Sequence, residues 1–239
     1  MRHTKLLTIT LVGLSMGCAE TRTAEEYSEA VTADPAHYSV EYENDAVRLL
    51  RIAYGPGEES VMHYHPATCS ISLGPASWQM TDPEGTVSQD SATAAGQVEC
   101  GEATVHLPEN PGSQPSELIL VEFKEGATAG MTTWEYPGAV VADSAHYSVE
   151  FENDVVRVLR IAYGPGERSV MHYHPANCSI ALGDASWRMT DPTGAMAQDS
   201  VMLGEVECGD AGVHLPENTT SGPSELILIE FKGRETFAE

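Results

Sequence analysis

Two histidines one residue apart, His63 and His65, close the run Gly-Pro-Gly-Glu-Glu-Ser-Val-Met-His-Tyr-His-Pro that spans residues 55–66. The same run returns almost unchanged at 164–175, with His172 and His174 in the same places. Imidazole is the commonest side-chain ligand for transition ions. On a β-strand, residues i and i+2 share a face, so each His-x-His pair can present two nitrogens to one ion while the intervening Tyr64 or Tyr173 points away. The competing reading is a pair of interior or surface histidines with no metal, hydrogen-bonded to their neighbours.

These runs belong to a long internal repeat. The stretch Ala-Asp-Pro-Ala-His-Tyr-Ser-Val-Glu-Tyr-Glu-Asn-Asp at 33–45 matches Ala-Asp-Ser-Ala-His-Tyr-Ser-Val-Glu-Phe-Glu-Asn-Asp at 142–154, an offset of 109 residues that His63 and His172 share. About three quarters of the positions up to Ser91 and Ser200 are identical. His106 and His214 are 108 apart, so one residue is lost between Ser200 and Gly204, where a loop is expected. A repeat of this length is the size of a small domain rather than a solenoid unit.

The elements that must carry the histidines read as strands. Val47–Tyr54, Cys69–Leu73, Ser77–Thr81 and Glu117–Lys124 are β-prone runs between Gly, Pro, Asn and Asp, and Asp82-Pro-Glu-Gly suits a hairpin turn. No amphipathic helical pattern interrupts them. An all-β fold is expected, twice over.

Order and spacing then resemble a known family. Each repeat has Gly-x5-His-x-His, a hairpin, then a Gly followed ten residues on by a third histidine (Gly96 and His106; Gly204 and His214) and by Asn110 or Asn218. This resembles the two motifs of the cupins, and the opening and closing strands are similar to small single-domain cupins of the beta-alanine degradation protein type. The resemblance implies a bicupin, two tandem double-stranded β-helix (jelly-roll) barrels. It carries over a ligand set of His63, His65 and His106 in the first barrel and His172, His174 and His214 in the second. Three imidazoles leave positions open for water or substrate. The cupin carboxylate four residues after the second histidine is replaced by Cys69 and Cys178. Glu102 and Thr104, or Asp210 and Gly212, stand where Pro and Gly normally precede the last histidine. Loss of the carboxylate moves the preference from Mn²⁺ toward Fe, Zn, Ni or Cu.

The four cysteines of the repeats recur in pairs, Cys69 with Cys100 and Cys178 with Cys208. In an exported protein they are expected to form intra-domain disulfides; a sulfur ligand, a reactive thiol or unpaired burial are the alternatives. Export is expected because Arg2 and Lys5 precede the apolar run Leu6–Leu14 and the small residues up to Gly17. Cys18 resembles the lipidated cysteine of bacterial lipoproteins, with ordinary signal cleavage as the alternative. The expected layout is a signal peptide at 1–17, a flexible tether at 18–32, cupin domains at 33–124 and 142–239, and a linker at 125–141 whose Trp134 and Tyr136 pack on a domain or its seam.

Acidic residues number 36 against 12 basic ones, a net charge of -24. Nucleic acid is therefore not an expected partner. Met62 and Met171 are expected to pack in the barrel rather than ligate copper, and Trp78 and Trp187 to fill a core or wall. His37 and His146 are expected to be exposed, as are Glu117, Glu122, Glu225 and Glu230. No serine has the context of a hydrolase nucleophile.

The expected function is an exported, periplasmic or envelope bicupin that binds a divalent transition metal in each barrel. Within that frame a non-haem oxygenase or other cupin-type enzyme acting on a small molecule is favoured. The alternative is a non-catalytic binder of a small ligand, or a structural envelope lipoprotein. Membrane contact is expected only through an N-terminal lipid. The oligomeric state is not set by the sequence.

Overall fold

The computed structural model describes residues 26–89, 93–124, 126 and 135–236. The stretch expected as a signal peptide, Cys18 and Trp134 lie outside the described residues. The first repeat begins with a one-turn helix α1 (Ala30–Ala33), then β1 (Tyr38–Glu43), β2 (Val47–Tyr54), β3 (His63–His65), β4 (Thr68–Ser72), β5 (Gln79–Thr81), β6 (Val87–Gln89), β7 (Val98–Gly101), β8 (Thr104–Glu109) and β9 (Ser116–Phe123). The second repeats the series as α2 (Ala139–Ala142), β10 (Tyr147–Glu152), β11 (Val156–Tyr163), β12 (His172–His174), β13 (Asn177–Ala181), β14 (Ala185–Thr190), β15 (Met196–Val201), β16 (Val206–Gly209), β17 (Gly212–Asn218) and β18 (Ser224–Phe231).

Each repeat makes a five-stranded sheet, β1-β2-β9-β4-β7 or β10-β11-β18-β13-β16, facing a four-stranded one, β3-β8-β5-β6 or β12-β17-β14-β15. The expected turn at Asp82–Gly85 joins β5 to β6, with Gly85 at φ +84°. Crossovers between non-consecutive strands close the two sheets into the expected jelly-roll barrel.

The five-stranded sheets are buried on both faces, which explains their near-continuous apolar sequences. Alternate residues of β9 serve different cores. Ile119 and Val121 enter one large cluster, whereas Leu120 packs inside its own barrel. The large cluster draws on both repeats, bringing Val47, Leu49 and Ile71 against Val156, Val158, Ile227 and Phe231. The two barrels thus lie back to back on one shared core, with Tyr42 stacked on Phe231 and Phe123 on Phe151.

A reciprocal polar contact locks this arrangement. Arg51 donates to the Gly204 carbonyl and Arg160 to the Gly96 carbonyl, each at 2.5 Å. Gly96 and Gly204 have φ of +76° and +78°, and a Cβ on Gly96 would meet Leu182 Cδ1 of the other barrel at 2.9 Å. Only glycine suits both demands.

The stretches expected as tether and linker are corrected at their ends. Residues 26–32 and 135–141 are fitted into the fold, with Ala30 and Ala139 buried. Tyr64 N–H donates to Ser28 O at 3.0 Å, and Tyr173 N–H to Pro137 O at 2.9 Å. The physical reason is that β3 and β12 are edge strands whose outer amides need a partner.

The cysteines are disulfides, Cys69–Cys100 and Cys178–Cys208. Each joins directly opposed residues of a β4–β7 or β13–β16 pair. The alternative of a sulfur ligand fails on parity: Thr68, Ser70 and Ser72 face the barrel interior, so Cys69 between them faces away. Among the described residues no helix is long and apolar enough to cross a membrane.

Closing a loop of 31 residues restricts the unfolded chain by about 3–4 kcal/mol in the chain-entropy model. The double substitution Cys69→Ala with Cys100→Ala is therefore expected to lower unfolding free energy by about that amount in urea titrations. A loss below about 1 kcal/mol would contradict this role for the disulfide.

Candidate metal centres

Strand β3 has the burial pattern its spacing predicts: His63 and His65 are buried and Tyr64 is half-buried on the other side. β8 runs antiparallel beside it and sets His106 directly opposite His63. The ring centroids of the three lie 4.7, 5.1 and 5.2 Å apart. In the second barrel His172 stands opposite His214, and the triad with His174 has the same three separations. Each triad places one ring nitrogen per residue within 4.8 Å of the others, a group that could hold a metal ion.

The hydrogen bonds around the rings fix their tautomers. His63 Nδ1 lies 2.7 Å from the Val61 carbonyl, which can only accept, so Nδ1 carries the proton and Nε2 a lone pair. His65 Nδ1 lies 2.7 Å from Glu122 Oε1. Arg48 Nε and Nη2 both donate to the other oxygen of that carboxylate, Oε2, at 2.6 Å. His65 Nδ1 is therefore also a donor. The Nε2 atoms of His63 and His65 face each other at 2.9 Å. Two bare acceptors at that distance would repel, and either a proton shared between them or a metal cation against both relieves the contact. The second barrel repeats this through Val170 O (2.8 Å), Glu230 Oε1 (2.7 Å) and an Nε2 pair at 2.9 Å. The donor set fits a transition ion.

Burial and the neighbouring imidazoles disfavour the charged form of His63, His106, His172 and His214. Desolvation, then His65, lowers His63 to about 4, and desolvation with the other two rings lowers His106 to about 3. His172 and His214 fall to about 4 and about 3 for the same reasons. Tyr38 O–H accepts from Tyr54 O–H at 3.1 Å and donates to His63 Nε2 at 3.1 Å. Tyr163, Tyr147 and His172 form the equivalent chain. Burial pushes the Tyr38 and Tyr147 phenols up and holds Tyr54 and Tyr163 at about 12, so all four keep their protons.

Glu122 and Glu230 correct the expectation that both are solvent-facing: they are 1% and 3% exposed and support His65 and His174. Their parity was the available signal. Glu122 shares a strand face with Leu118 and Leu120, whereas Glu117, five residues away, falls on the other face. Tyr38 and Tyr147 were also missed, because nothing local distinguishes a phenol beside a ligand from one in a core. His37 and His146 are not fully exposed as expected. His37 stacks on Tyr54 with ring centroids 4.2 Å apart and bonds Asp34 at 2.6 Å; His146 stacks on Tyr163 in the same way. Asn110 and Asn218 are buried and structural, tying the turns at Gly55 and Gly164. Met62 and Met171 are half-buried, next to His63 and His172 in the chain.

A cavity leads to each triad, about 150 Å³ in the first barrel and about 120 Å³ in the second. Tyr38, Tyr54, Trp78, Met80 and Leu118 wall the first around His65 and His106, with hydroxyls from Thr68, Ser70 and Ser72. Among the described residues neither cavity is lined by Arg or Lys.

No family model matches the sequence, and no curated protein does. Solved structures do resemble it. AerE from Microcystis aeruginosa superposes with a TM-score of 0.57 at 13% identity, covering 82% of this chain and 93% of that one. A Cupin 2 conserved barrel domain protein from Leptotrichia buccalis gives 0.54 at 10% identity, covering 82% and 88%. A variant of the oxalate decarboxylase from B. subtilis gives 0.51 at 12% identity, covering 83% and 76%. At these identities the likeness shows the fold: the chain is built as two tandem cupin barrels.

The depressed histidines tie stability to pH. The unfolded chain binds their protons near the ordinary value of 6.5, but the folded chain only near 4 and below. The unfolded state thus holds more protons throughout that window, and stability falls as pH falls from about 6.5 toward 4. Urea unfolding of chelator-treated protein is expected to show this decline, and His106→Leu with His214→Leu to flatten it. A stability that stays level or rises as pH falls through this window would contradict the assignment.

Proposed function

We propose that this chain is an exported bicupin that binds one divalent transition ion in each barrel and acts on a small molecule there. The single observation that supports it best is the convergence of three imidazoles in each barrel, two of them with Nδ1 bonded to a carbonyl or a carboxylate and Nε2 turned to the shared centre. His63, His65 and His106 would hold the first ion, and His172, His174 and His214 the second. The metal-centred neighbour supports the reading: the B. subtilis oxalate decarboxylase has Mn(II) centres. Here a nitrogen-only triad, with no carboxylate in it, suits Fe, Zn, Ni or Cu better than Mn.

A bound ion with open positions supplies Lewis-acid activation or, if redox-active, activation of O₂, which makes a non-haem oxygenase the preferred enzyme reading. The chain's own residues do the rest. Glu122 and Glu230 orient His65 and His174 and fix their tautomers. Apolar walls keep water from a bound molecule, and the Tyr38 hydroxyl holds the proton nearest the triad in the first cavity. A cavity of about 150 Å³ admits a molecule about the size of one benzene ring.

One observation favours the alternative of a non-catalytic binder. Among the described residues the one carboxylate that lines the first cavity is Glu99, which is exposed, so no buried carboxylate lines it beside the triad to serve as acid or base. For location, two disulfides fit an oxidising compartment. Lipidation at Cys18 would hold the chain at an envelope membrane, and mass spectrometry of the mature N-terminus tests that directly.

Metal analysis of protein purified from its native envelope is expected to give about two ions per chain, about one in His63→Ala, and none in His63→Ala with His172→Ala. Metal retained by the double variant at the wild-type level would sink the site assignment. Oxygen uptake with ring-sized candidate substrates then separates an oxygenase from a binder.

A further inference from the structure

We infer that the two centres are unequal, the second barrel holding its ion more tightly, because the position occupied by Glu29 in the first repeat is Gly138 in the second. The inference rests on the metal-binding reading above. Both residues occupy the same bridge beside the histidine strand, Glu29 against Tyr64 and Gly138 against Tyr173.

What differs is the guanidinium behind the buried carboxylate. In the first barrel Glu29 Oε2 accepts from Arg48 Nη1 at 2.9 Å and holds the fork square to Glu122. Arg48 Nε and Nη2 then both reach Glu122 Oε2 at 2.6 Å. In the second barrel nothing at Gly138 can hold Arg157. Its Nη2 turns to Glu152 at 3.1 Å, its Nη1 lies 3.3 Å from Glu230 Oε2, and its buried Nε has no partner among the described residues. The histidine side of each carboxylate is unchanged, 2.7 Å in both barrels.

A carboxylate that accepts the Nδ1 proton of a ligand histidine raises the donor strength of its Nε2. A close bidentate guanidinium draws charge from that carboxylate and weakens the effect. Glu122 is gripped in this way and Glu230 is not, so His174 is the stronger donor. The charge of Glu29 itself matters less, because its side chain is 55% exposed and screened by water.

Zinc competition against a chromophoric chelator tests this, with each barrel read alone in otherwise full-length protein. His172→Ala leaves the first barrel to be read and His63→Ala the second. The second is expected to bind about tenfold more tightly, the low end of the range for outer-shell partners. Adding Glu29→Gly should tighten the first barrel toward the second, and Gly138→Glu should weaken the second toward the first. Gly138 has room for the change: its φ and ψ are -64° and 154°, and an added Cβ meets only Tyr173 O at 4.0 Å. Equal affinities, or a difference that neither exchange moves, would overturn the inference and leave metal binding standing. Absence of zinc binding in both barrels would overturn both.

Discussion

The alternation of side chains along strands with two buried faces governs this molecule. On β9, Ile119 and Val121 hold the barrels together while Leu118 and Leu120 line the cavity and Glu122 braces His65. On β13, Cys178 and Ile180 join the shared core, and Asn177 and Ser179 face the second cavity. A slip of one residue would exchange the two sets and put a carboxylate into the shared core. Docking of the barrels and chemistry inside them are therefore set by the same register. The disulfides pin the edge strands of both five-stranded sheets in that register.

Much of this was legible in the sequence. The repeat gave the number of barrels, and the His-x-His spacing on β-prone residues placed two histidines on one face. The third histidine came through a resemblance, since its pairing with His63 depends on a β3–β8 contact between segments some 40 residues apart. Glu122 was misread although its parity with Leu118 and Leu120 was visible, because a charged residue on a closing strand is ordinarily solvated. What turns it inward is a stack of non-local partners: Arg48 and Thr68 lie opposite it on the flanking strands. The shared core was not anticipated either. Tandem repeats read as two separate domains, and only the doubly buried sheets reveal that neither apolar outer face is covered without the other.

The two copies act as an internal control. The triads agree in every ring separation, so the chain preserves this geometry through the substitutions that surround it. Differences collect one layer out, at Glu29 and Gly138, and on the cavity wall at Thr68 and Asn177. A scaffold under packing constraint alone has no need to converge three buried imidazoles in both copies. Three imidazoles converging in each barrel, two of them held through Nδ1 by a carbonyl and a carboxylate, are the physical core of the metal reading.

X-ray absorption at the zinc K edge, on protein loaded with two equivalents of zinc, tests that reading most directly. The account predicts a first shell of nitrogen or oxygen scatterers at about 2.0–2.1 Å, with the outer-shell pattern of imidazole rings and no sulfur. A sulfur shell near about 2.3 Å, or a first shell without imidazole, would contradict it.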